Sequence, residues 1–579
     1  MILLRDSVNA GWLQFDRPVE SIESTSVREV LPLLRRLEKR VRSKRLFAVG
    51  FLSYESAPAF DEALQVKRPN ADLPLLWFGL YESPDRITDL PVQDTSSYSM
   101  GNWVPNLDRN EYLNAIHEIR EYLEQGETYQ VNFTFRQHAS FQGDPVALFR
   151  DLYTSQPTAH SVFLENDRFA ICSVSPELFF RRTGDKIMAK PMKGTADRGK
   201  TLSEDQALAD SLRESEKERA ENVMIVDMLR NDIGRIARSG SVDVPVLFEV
   251  ERHPTVWQMT SEVTAETDAD HTEVFTALFP CASVTGAPKT STMRIIAELE
   301  RSPRGVYTGA VGYIGPDNRA QFNVGIRTVT IDKRRERAEY GTGSGIVWYS
   351  RSEREYDECL MKAKVLTERR PDFSLLESIL WEGESGYFLL EYHFARLRDS
   401  AEYFGIPTDM AEIRGKLAAL KSTLGESQRK IRLLVRRTGE ILEEYSAPID
   451  NRSDSRTISV GIAGTPVDRE DPFLYHKTTH RSMYEQFQSE NPDSEDVLLW
   501  NRDDEITETC VANFVAKIDG RLCTPPVSCG LLPGTFRSYL LERGEIEERV
   551  ITRQELRHAD NTFRINSVRK WQKIQITGE

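Results

Sequence analysis

The sequence predicts an α+β fold built as two successive domains, and three observations predict it. Strand-like and helix-like stretches are mixed without the regular alternation of a doubly wound sheet. The chain has 579 residues, 39% hydrophobic and 28% charged, an ordinary globular balance; at ~150 residues per domain that length corresponds to about two to four domains. A helical pattern over Glu355–Leu366 is broken by Thr-Glu-Arg-Arg-Pro-Asp at 367–372. Proline disfavours helix in the residue before it, so Arg370 is the expected end. The expected domains are therefore 1–369 and 370–579.

Taken in order, residues 45–54, 161–180 and 305–349 are rich in β-branched and aromatic residues and punctuated by glycine, as strands and hairpins are. Residues 109–125 and 203–238 show helical spacing of apolar and charged residues. In the second of these, Ala220, Val223, Met224, Met228, Leu229, Ile233 and Ile236 form the expected buried stripe, with Gly240 as the stop. Beyond 370, helices are expected at 391–404, 410–424 and 535–543, and strands at 430–436, 457–463, 496–500 and 511–517.

Composition narrows the function. Seventy-five Lys and Arg against 90 Asp and Glu give a net charge of −15, whose average field repels phosphate, so neither nucleic acid nor an anionic membrane is an expected partner. No run of 18 apolar residues is present, and the N-terminus does not read as a secretory signal. Six scattered cysteines without a CxxC pair suit a reducing cytosol rather than a disulfide framework. The expected location is the cytoplasm.

Several clusters carry chemistry. Glu218 and Glu221 lie three apart on one predicted helix, and Glu355 and Glu358 repeat the spacing on another. Four carboxylates from two helices suit a hard divalent cation such as Mg²⁺; by spacing alone they also read as solvated helix faces. Glycine-rich turns at Thr285–Lys289, Gly309–Gly312 and Gly341–Gly345 offer backbone amides to a carboxylate, Thr285 and Gly286 among them. Lys193 sits beside a Gly-Thr bend, where a partly dry pocket would leave its amine nucleophilic. In the second part, Lys477 in Tyr475–Thr479 is a candidate Schiff-base lysine. Arg396, the amides of Gly534, Thr535 and Phe536, and Glu508 could supply the cation, phosphate cradle and acid that pyridoxal phosphate needs.

In this order the segments resemble known families. Ser175–Phe179, Pro191–Thr195, Ala220–Arg235, Phe279–Lys289, Gly325–Thr328 and Gly343–Val347 with Glu355–Glu358 resemble the chorismate-utilising enzymes, over about residues 100–366. The resemblance implies that Glu177 protonates the leaving C4 hydroxyl. It also implies that Glu221 and Glu358, with Glu218 and Glu355 as outer or additional ligands, bind Mg²⁺, and that Tyr307, Arg327, Gly345 and Lys362 hold substrate carboxylates. Aminodeoxychorismate synthases carry lysine at the position of Lys193 and anthranilate synthases carry alanine. Isochorismate synthases place a lysine base at Gln130, where glutamine cannot activate water. Gln258 stands where relatives often have histidine, so a proton transfer there is not expected.

Residues 373–579 resemble fold-type IV pyridoxal-phosphate enzymes, which include branched-chain and D-amino-acid aminotransferases and aminodeoxychorismate lyase. Together the resemblances imply amination of chorismate to 4-amino-4-deoxychorismate, followed by elimination of pyruvate to 4-aminobenzoate on the folate pathway. No cysteine has a glutaminase context, so ammonia is expected from a separate glutamine amidotransferase subunit. Fold-type IV relatives are commonly dimers, which suggests a homodimer through this domain. The competing readings are an anthranilate- or isochorismate-forming front half joined to an aminotransferase, and a non-catalytic second half.

Overall fold

The structure, a computed structural model, describes residues 1–6, 11–91, 97–367, 371–448 and 456–577. It divides into two compact units: Met1–Ala196 with Asp210–Arg370, and Asp197–Ala209 with Pro371–Glu579. The expected helix break at 367–372 falls partly outside the described residues, as does Arg370 itself. A single division of the chain does not anticipate the excursion of 197–209 into the second unit.

The first unit is built on two large, largely antiparallel sheets, one of eleven strands and one of ten. Strand alternation explains its layers. Ile2 and Leu4 point into a core shared with Val49, Phe51, Ile171 and Val311, drawn from both sheets. Leu3, on the opposite face of the same strand, packs instead with Leu148, Phe149 and Leu152 of the helix Pro145–Ser155. On the other sheet, Ala48 and Leu52 join a core with the helices Val27–Lys44, Glu216–Gly234 and His271–Leu278. The result is two sheets face to face with helices outside, each fully buried Leu or Phe contributing roughly 1.5–3 kcal/mol. The strands Gln130–Gly143 and Arg337–Ile346 pair in register, Asn132 opposite Gly345, so Gln130 and Gly345 arrive at one end of the sheet.

The expected single helix over 203–238 is two helices, Leu202–Glu214 and Glu216–Gly234. Ser215 breaks the pattern by capping the second, its hydroxyl accepting the Glu218 amide. The helix ends at Gly234, before Gly240. Its buried face is Asn222, Ile225, Val226, Leu229 and Ile233, while Val223 is 39% exposed. Met224, Met228 and Ile236 of the expected stripe pack only partly buried against the same core, whose centre is shifted toward the side of the polar Asn222.

In the second unit, a three-stranded antiparallel sheet (Leu375–Trp381, Arg429–Val435, Ile441–Tyr445) carries the helices Leu390–Phe404 and Met410–Leu424 on its apolar face. An eight-stranded sheet closes on itself where Ile506–Thr509 also pairs with Asn513–Ile518, making a barrel. The segment Asp197–Ala209 belongs to this unit. Arg198 donates to the Tyr403 carbonyl at 2.8 Å, the Tyr403 hydroxyl donates to the Gly199 carbonyl at 2.7 Å, and the His476 ring lies 4.2 Å from the Tyr403 ring, stacked on it.

Candidate active sites

In the first unit the strand Met192–Asp197 presents Lys193. A Cβ added to Gly345 would lie 2.8 Å from Lys193 Nζ and 2.4 Å from Gln130 Nε2, so lysine, glutamine and glycine meet at one point that a side chain would fill. Burial lowers the Lys193 pKa and Lys362 adds to this, against the pull of Glu221, Glu177 and Glu358. The backbone on both sides of the lysine is clamped. Asn222 Nδ2 donates to the Lys193 carbonyl at 3.2 Å, with Ser261 donating to Asn222 at 2.6 Å. Gln258 Nε2 donates to the Gly194 carbonyl at 2.7 Å and its Oε1 accepts from Thr195 at 3.2 Å. Gln258, which stands where relatives often have histidine and cannot titrate, therefore holds the lysine turn.

Glu177 is 3% exposed, and burial raises its pKa to about 7 while the Ser283 hydroxyl and the charge of Lys193 oppose the rise. Its Oε1 has no partner among the described residues. A carboxylic acid still protonated near neutrality, with one oxygen free, is what protonating a leaving hydroxyl requires. Ser283, Asn222 and Ser261 were not singled out from the sequence. Ser283 was legible only as part of Phe279–Lys289, and Asn222 as a polar residue within an apolar helix stretch.

The other expected contacts distribute as follows. Gly286 has φ of +146° and a Cβ there would meet the Gln130 carbonyl at 2.0 Å, so only glycine allows this approach. Thr285 turns its hydroxyl to the Cys281 and Ala282 carbonyls, 3.2 Å from each. Tyr307 is buried under Gly341, with the Arg136 guanidinium 4.8 Å from its ring centre. Arg327 has φ of +48°, and its guanidinium has no hydrogen-bond or ion-pair partner among the described residues. Lys362 donates to the Gly343 carbonyl at 3.1 Å and pairs with Glu358 at 2.7 Å.

The four acidic residues tell a mixed story. Burial raises the Glu221 pKa, and the negative charges of Glu218 and Glu355 add to it, so the two helices bring their carboxylates within each other's field. Lys217 lies 3.4 Å from Glu218 and 3.8 Å from Glu221. No group of three or more such side chains is drawn together as a ready cage among the described residues. The donor chemistry suits a hard cation, whose charge would relieve this crowding.

In the second unit Lys477 follows the buried His476, and its carbonyl accepts the Leu376 amide at 2.9 Å. Burial lowers its pKa to about 8, with Arg396 and Arg481 adding and Glu377 and Glu508 opposing. Glu508 is buried and raised to about 8, and accepts from Tyr484 at 3.0 Å and Asn513 at 3.2 Å. Gly534 caps the helix Thr535–Glu542, and a Cβ there would fall 1.9 Å from Asn513 Oδ1. The Thr535 hydroxyl lies 3.5 Å from His393 Nε2, and Phe536 is buried against Val515 and Leu540. Arg396 is not free: its Nε and Nη2 donate to Glu377 at 2.9 and 2.6 Å, and its Nη1 to the Pro533 carbonyl at 3.3 Å, next to Gly534. Burial alone would raise the Glu377 pKa, but Arg396 and His393 hold it at about 2. A low-pKa lysine, an acid with two donors and a glycine-opened helix N-terminus fit pyridoxal phosphate. Glu377, His393, Tyr484 and Asn513, missed from the sequence, orient these groups.

Comparison with known proteins follows the same division. The family model described as chorismate binding enzyme matches residues 2–368, and that described as amino-transferase class IV matches residues 374–576. Aminodeoxychorismate synthase component 1 of Bacillus subtilis (strain 168) is 36% identical over 282 residues, 48% of this chain and 60% of that protein. Anthranilate synthase component 1 of Aquifex aeolicus (strain VF5) is 38% identical over 267 residues, 46% of this chain and 54% of that protein. The chain thus spans less than two thirds of the length of these curated relatives. Among solved structures, anthranilate synthase component I from Streptococcus pneumoniae TIGR4 superposes with a TM-score of 0.55 at 26% identity, covering 62% of this chain and 93% of that one.

Proposed function

The chain belongs to the chorismate binding enzyme family and carries an amino-transferase class IV domain after it, and from that premise we propose that it makes 4-aminobenzoate from chorismate in two steps. In the first, ammonia from a separate glutamine amidotransferase subunit replaces the C4 hydroxyl to give 4-amino-4-deoxychorismate. In the second, pyruvate is eliminated. The observation that carries this reading is the meeting of Lys193 Nζ with Gly345 and Gln130, in a site whose acid, Glu177, is raised to about 7.

The Lys193 amine, its pKa lowered by burial, attacks C2 of chorismate as the free base, both ring double bonds shift one place round the ring, and the C4–O bond breaks as Glu177 gives its proton to the leaving hydroxyl. Ammonia then attacks C4, both double bonds shift back, and Lys193 leaves C2 with its electron pair; the excess proton of the new amine returns to Glu177. Arg327 and the Thr285–Gly286 turn are placed to hold carboxylates. Glu218, Glu221, Glu355 and Glu358 would hold Mg²⁺, which supplies charge against a substrate carboxylate. Water addition has no base at Gln130, and anthranilate formation does not need a lysine at 193.

In the second unit, bound pyridoxal phosphate supplies an electron sink. Lys477, whose pKa burial lowers to about 8, would hold the cofactor and take the C4 proton, Glu508 would serve its ring nitrogen, and Gly534 and Thr535 would give amides to its phosphate. Loss of the enolpyruvyl group as pyruvate leaves an aromatic ring. The test is product analysis: purified chain with chorismate, Mg²⁺, ammonium salt and pyridoxal phosphate should yield 4-aminobenzoate and pyruvate in equal amounts. Anthranilate or isochorismate would overturn the first step, and accumulating aminodeoxychorismate the second.

A further inference from the structure

We propose that His393 is a positioning residue that takes up a proton when the cofactor's phosphate enters the second unit. As imidazolium it donates to Glu377 and Thr535 at once, which frees the Thr535 hydroxyl to donate to the phosphate. The inference rests on the reading of the second unit as a pyridoxal-phosphate domain.

Strand alternation puts a carboxylate where apolar side chains belong. Leu375, Glu377, Ile379 and Trp381 share one face of Leu375–Trp381, and the three apolar ones pack in the core with Phe394 and Leu397 of the helix Leu390–Phe404. Glu377 is 1% exposed, and a carboxylate so buried must be paired. The helix answers with two residues three apart on one face. His393 Nδ1 lies 2.6 Å from Glu377 Oε2, and Arg396 donates to both carboxylate oxygens. The same two side chains reach the turn that opens the helix Thr535–Glu542: Arg396 Nη1 donates to the Pro533 carbonyl, and His393 Nε2 lies 3.5 Å from the Thr535 hydroxyl. His393 and Thr535 are themselves buried. Glu377, His393 and Thr535 therefore form a line of side chains from a buried charge to the helix N-terminus that offers its amides to a phosphate.

Donors and acceptors along this line decide where its protons sit. Glu377, held at about 2, is ionised and can only accept. The charged groups acting on His393 are Glu377 on the strand, Arg396 on its own helix, and Lys477, whose carbonyl is bonded to that strand. Burial lowers the His393 pKa, Glu377 opposes the fall, and Arg396 and Lys477 add to it. Without a phosphate the imidazole is therefore neutral. Its one N–H is at Nδ1, facing Glu377, and Nε2 can only accept the Thr535 hydroxyl, whose proton is then turned away from an incoming anion. Arg396 and Glu377 meanwhile cancel each other's charge. A phosphate monoester carries close to two negative charges at neutral pH, its second pKa lying at about 6, and a nearby anion favours imidazolium. The proton comes from the solvent and adds to Nε2. Nδ1 still donates to Glu377, Nε2 now donates to Thr535 Oγ1, and the hydroxyl proton turns to the phosphate.

The test titrates the full chain, freed of cofactor, with pyridoxamine 5′-phosphate and with pyridoxamine, neither of which has the aldehyde that would condense with Lys477. Calorimetry at about pH 7, in two buffers of different ionisation heat, counts the protons taken up. That pH lies above the second pKa of the phosphate, about 6, and below the Lys477 value of about 8, so both groups are already charged. Pyridoxamine 5′-phosphate should take up ~0.5–1 proton more than pyridoxamine. His393→Gln should lose this excess and bind the phosphate ligand ~10-fold more weakly, with pyridoxamine changed by less than ~2-fold. Thr535→Ser should keep the excess. Equal uptake of protons with the two ligands in the wild type would overturn the inference without any variant, and so would an excess that survives in His393→Gln. Binding of neither ligand would sink the cofactor reading and the inference with it, whereas tight binding of the phosphate ligand with no excess proton leaves that reading standing and removes only the role of His393.

Discussion

Removing the Ser283 hydroxyl should move the pH profile of the first reaction without removing any group that touches the reacting carbon. Glu177 must be protonated to act, so kcat/KM for chorismate falls as pH rises through its pKa, about 7. Burial sets that value high, and the Ser283 hydrogen bond, which favours the ionised form, is the largest influence holding it down. A hydrogen bond to a charged group is worth ~1.5–3 kcal/mol and to a neutral one ~0.5–1.5, so the ionised form loses ~1–1.5 kcal/mol more than the neutral form in Ser283→Ala. At 1.36 kcal/mol per unit that raises the pKa by about one unit. The assay is chorismate consumption with Mg²⁺ at constant free ammonia between pH 6 and 9. The falling limb should shift to higher pH by about one unit in Ser283→Ala, stay in place in Ser283→Thr, and vanish with the activity in Glu177→Gln. A limb that superimposes on the wild type, or moves to lower pH, would refute the assignment of Glu177 as the acid.

Three further outcomes are expected. Gly345→Ala would drive a methyl group into the space shared by Lys193 Nζ and Gln130 Nε2; synthase activity should fall ~100-fold or more, while pyruvate release from supplied aminodeoxychorismate is unchanged, which coupled assays of each half would read. Chelation, or Glu221→Gln, should stop chorismate consumption and spare the second reaction, because an amide lacks the charge a hard cation needs; metal-independent turnover would contradict the role of the two acidic helices. Without cofactor, Glu508 has its folded pKa raised from 4.5 to about 8, so its contribution to stability is full below 4.5 and is lost as pH rises through 8. Glu508→Gln should therefore gain thermal stability over the wild type progressively across that window, measured by melting at pH 5, 7 and 9; a constant difference would show that Glu508 is ionised in the fold.

The local patterns were legible where periodicity and punctuation agreed. The helix at 410–424 is found at Met410–Leu424, and the strand at 496–500 at Asp496–Trp500. The single helix over 203–238 failed because Ser215 reads as an ordinary helix-surface residue until its side chain is seen accepting the Glu218 amide. The site followed the same rule. Lys193 and Glu177 could be named from motifs, but their shifted pKa values come from burial, which no motif encodes. Ser283, Asn222 and Glu377 act by touching residues far away in the chain, or by presenting one atom at the right distance, so spacing carries no trace of them. Arg396 shows the limit in the other direction: the sequence marked it as a cation for phosphate, and the fold also ties it to Glu377.

The excursion of Asp197–Ala209 into the second unit bears on how the two halves of the chain can be parted. A gene cut at 370 divides the chain at its expected boundary, yet the downstream fragment would lack the stretch that caps Tyr403 and accepts the His476 Nε2 hydrogen bond through the Lys200 carbonyl at 3.1 Å. His476 precedes Lys477, so the deficit would fall next to the lysine proposed to hold the cofactor. The upstream fragment would meanwhile carry a segment, including most of the helix Leu202–Glu214, that belongs to the other unit. One cut therefore does not part the halves cleanly: thirteen positions of sequence, counted from 197 to 209, belong to a unit other than the one in which they are encoded, and a split chain would need them supplied in trans.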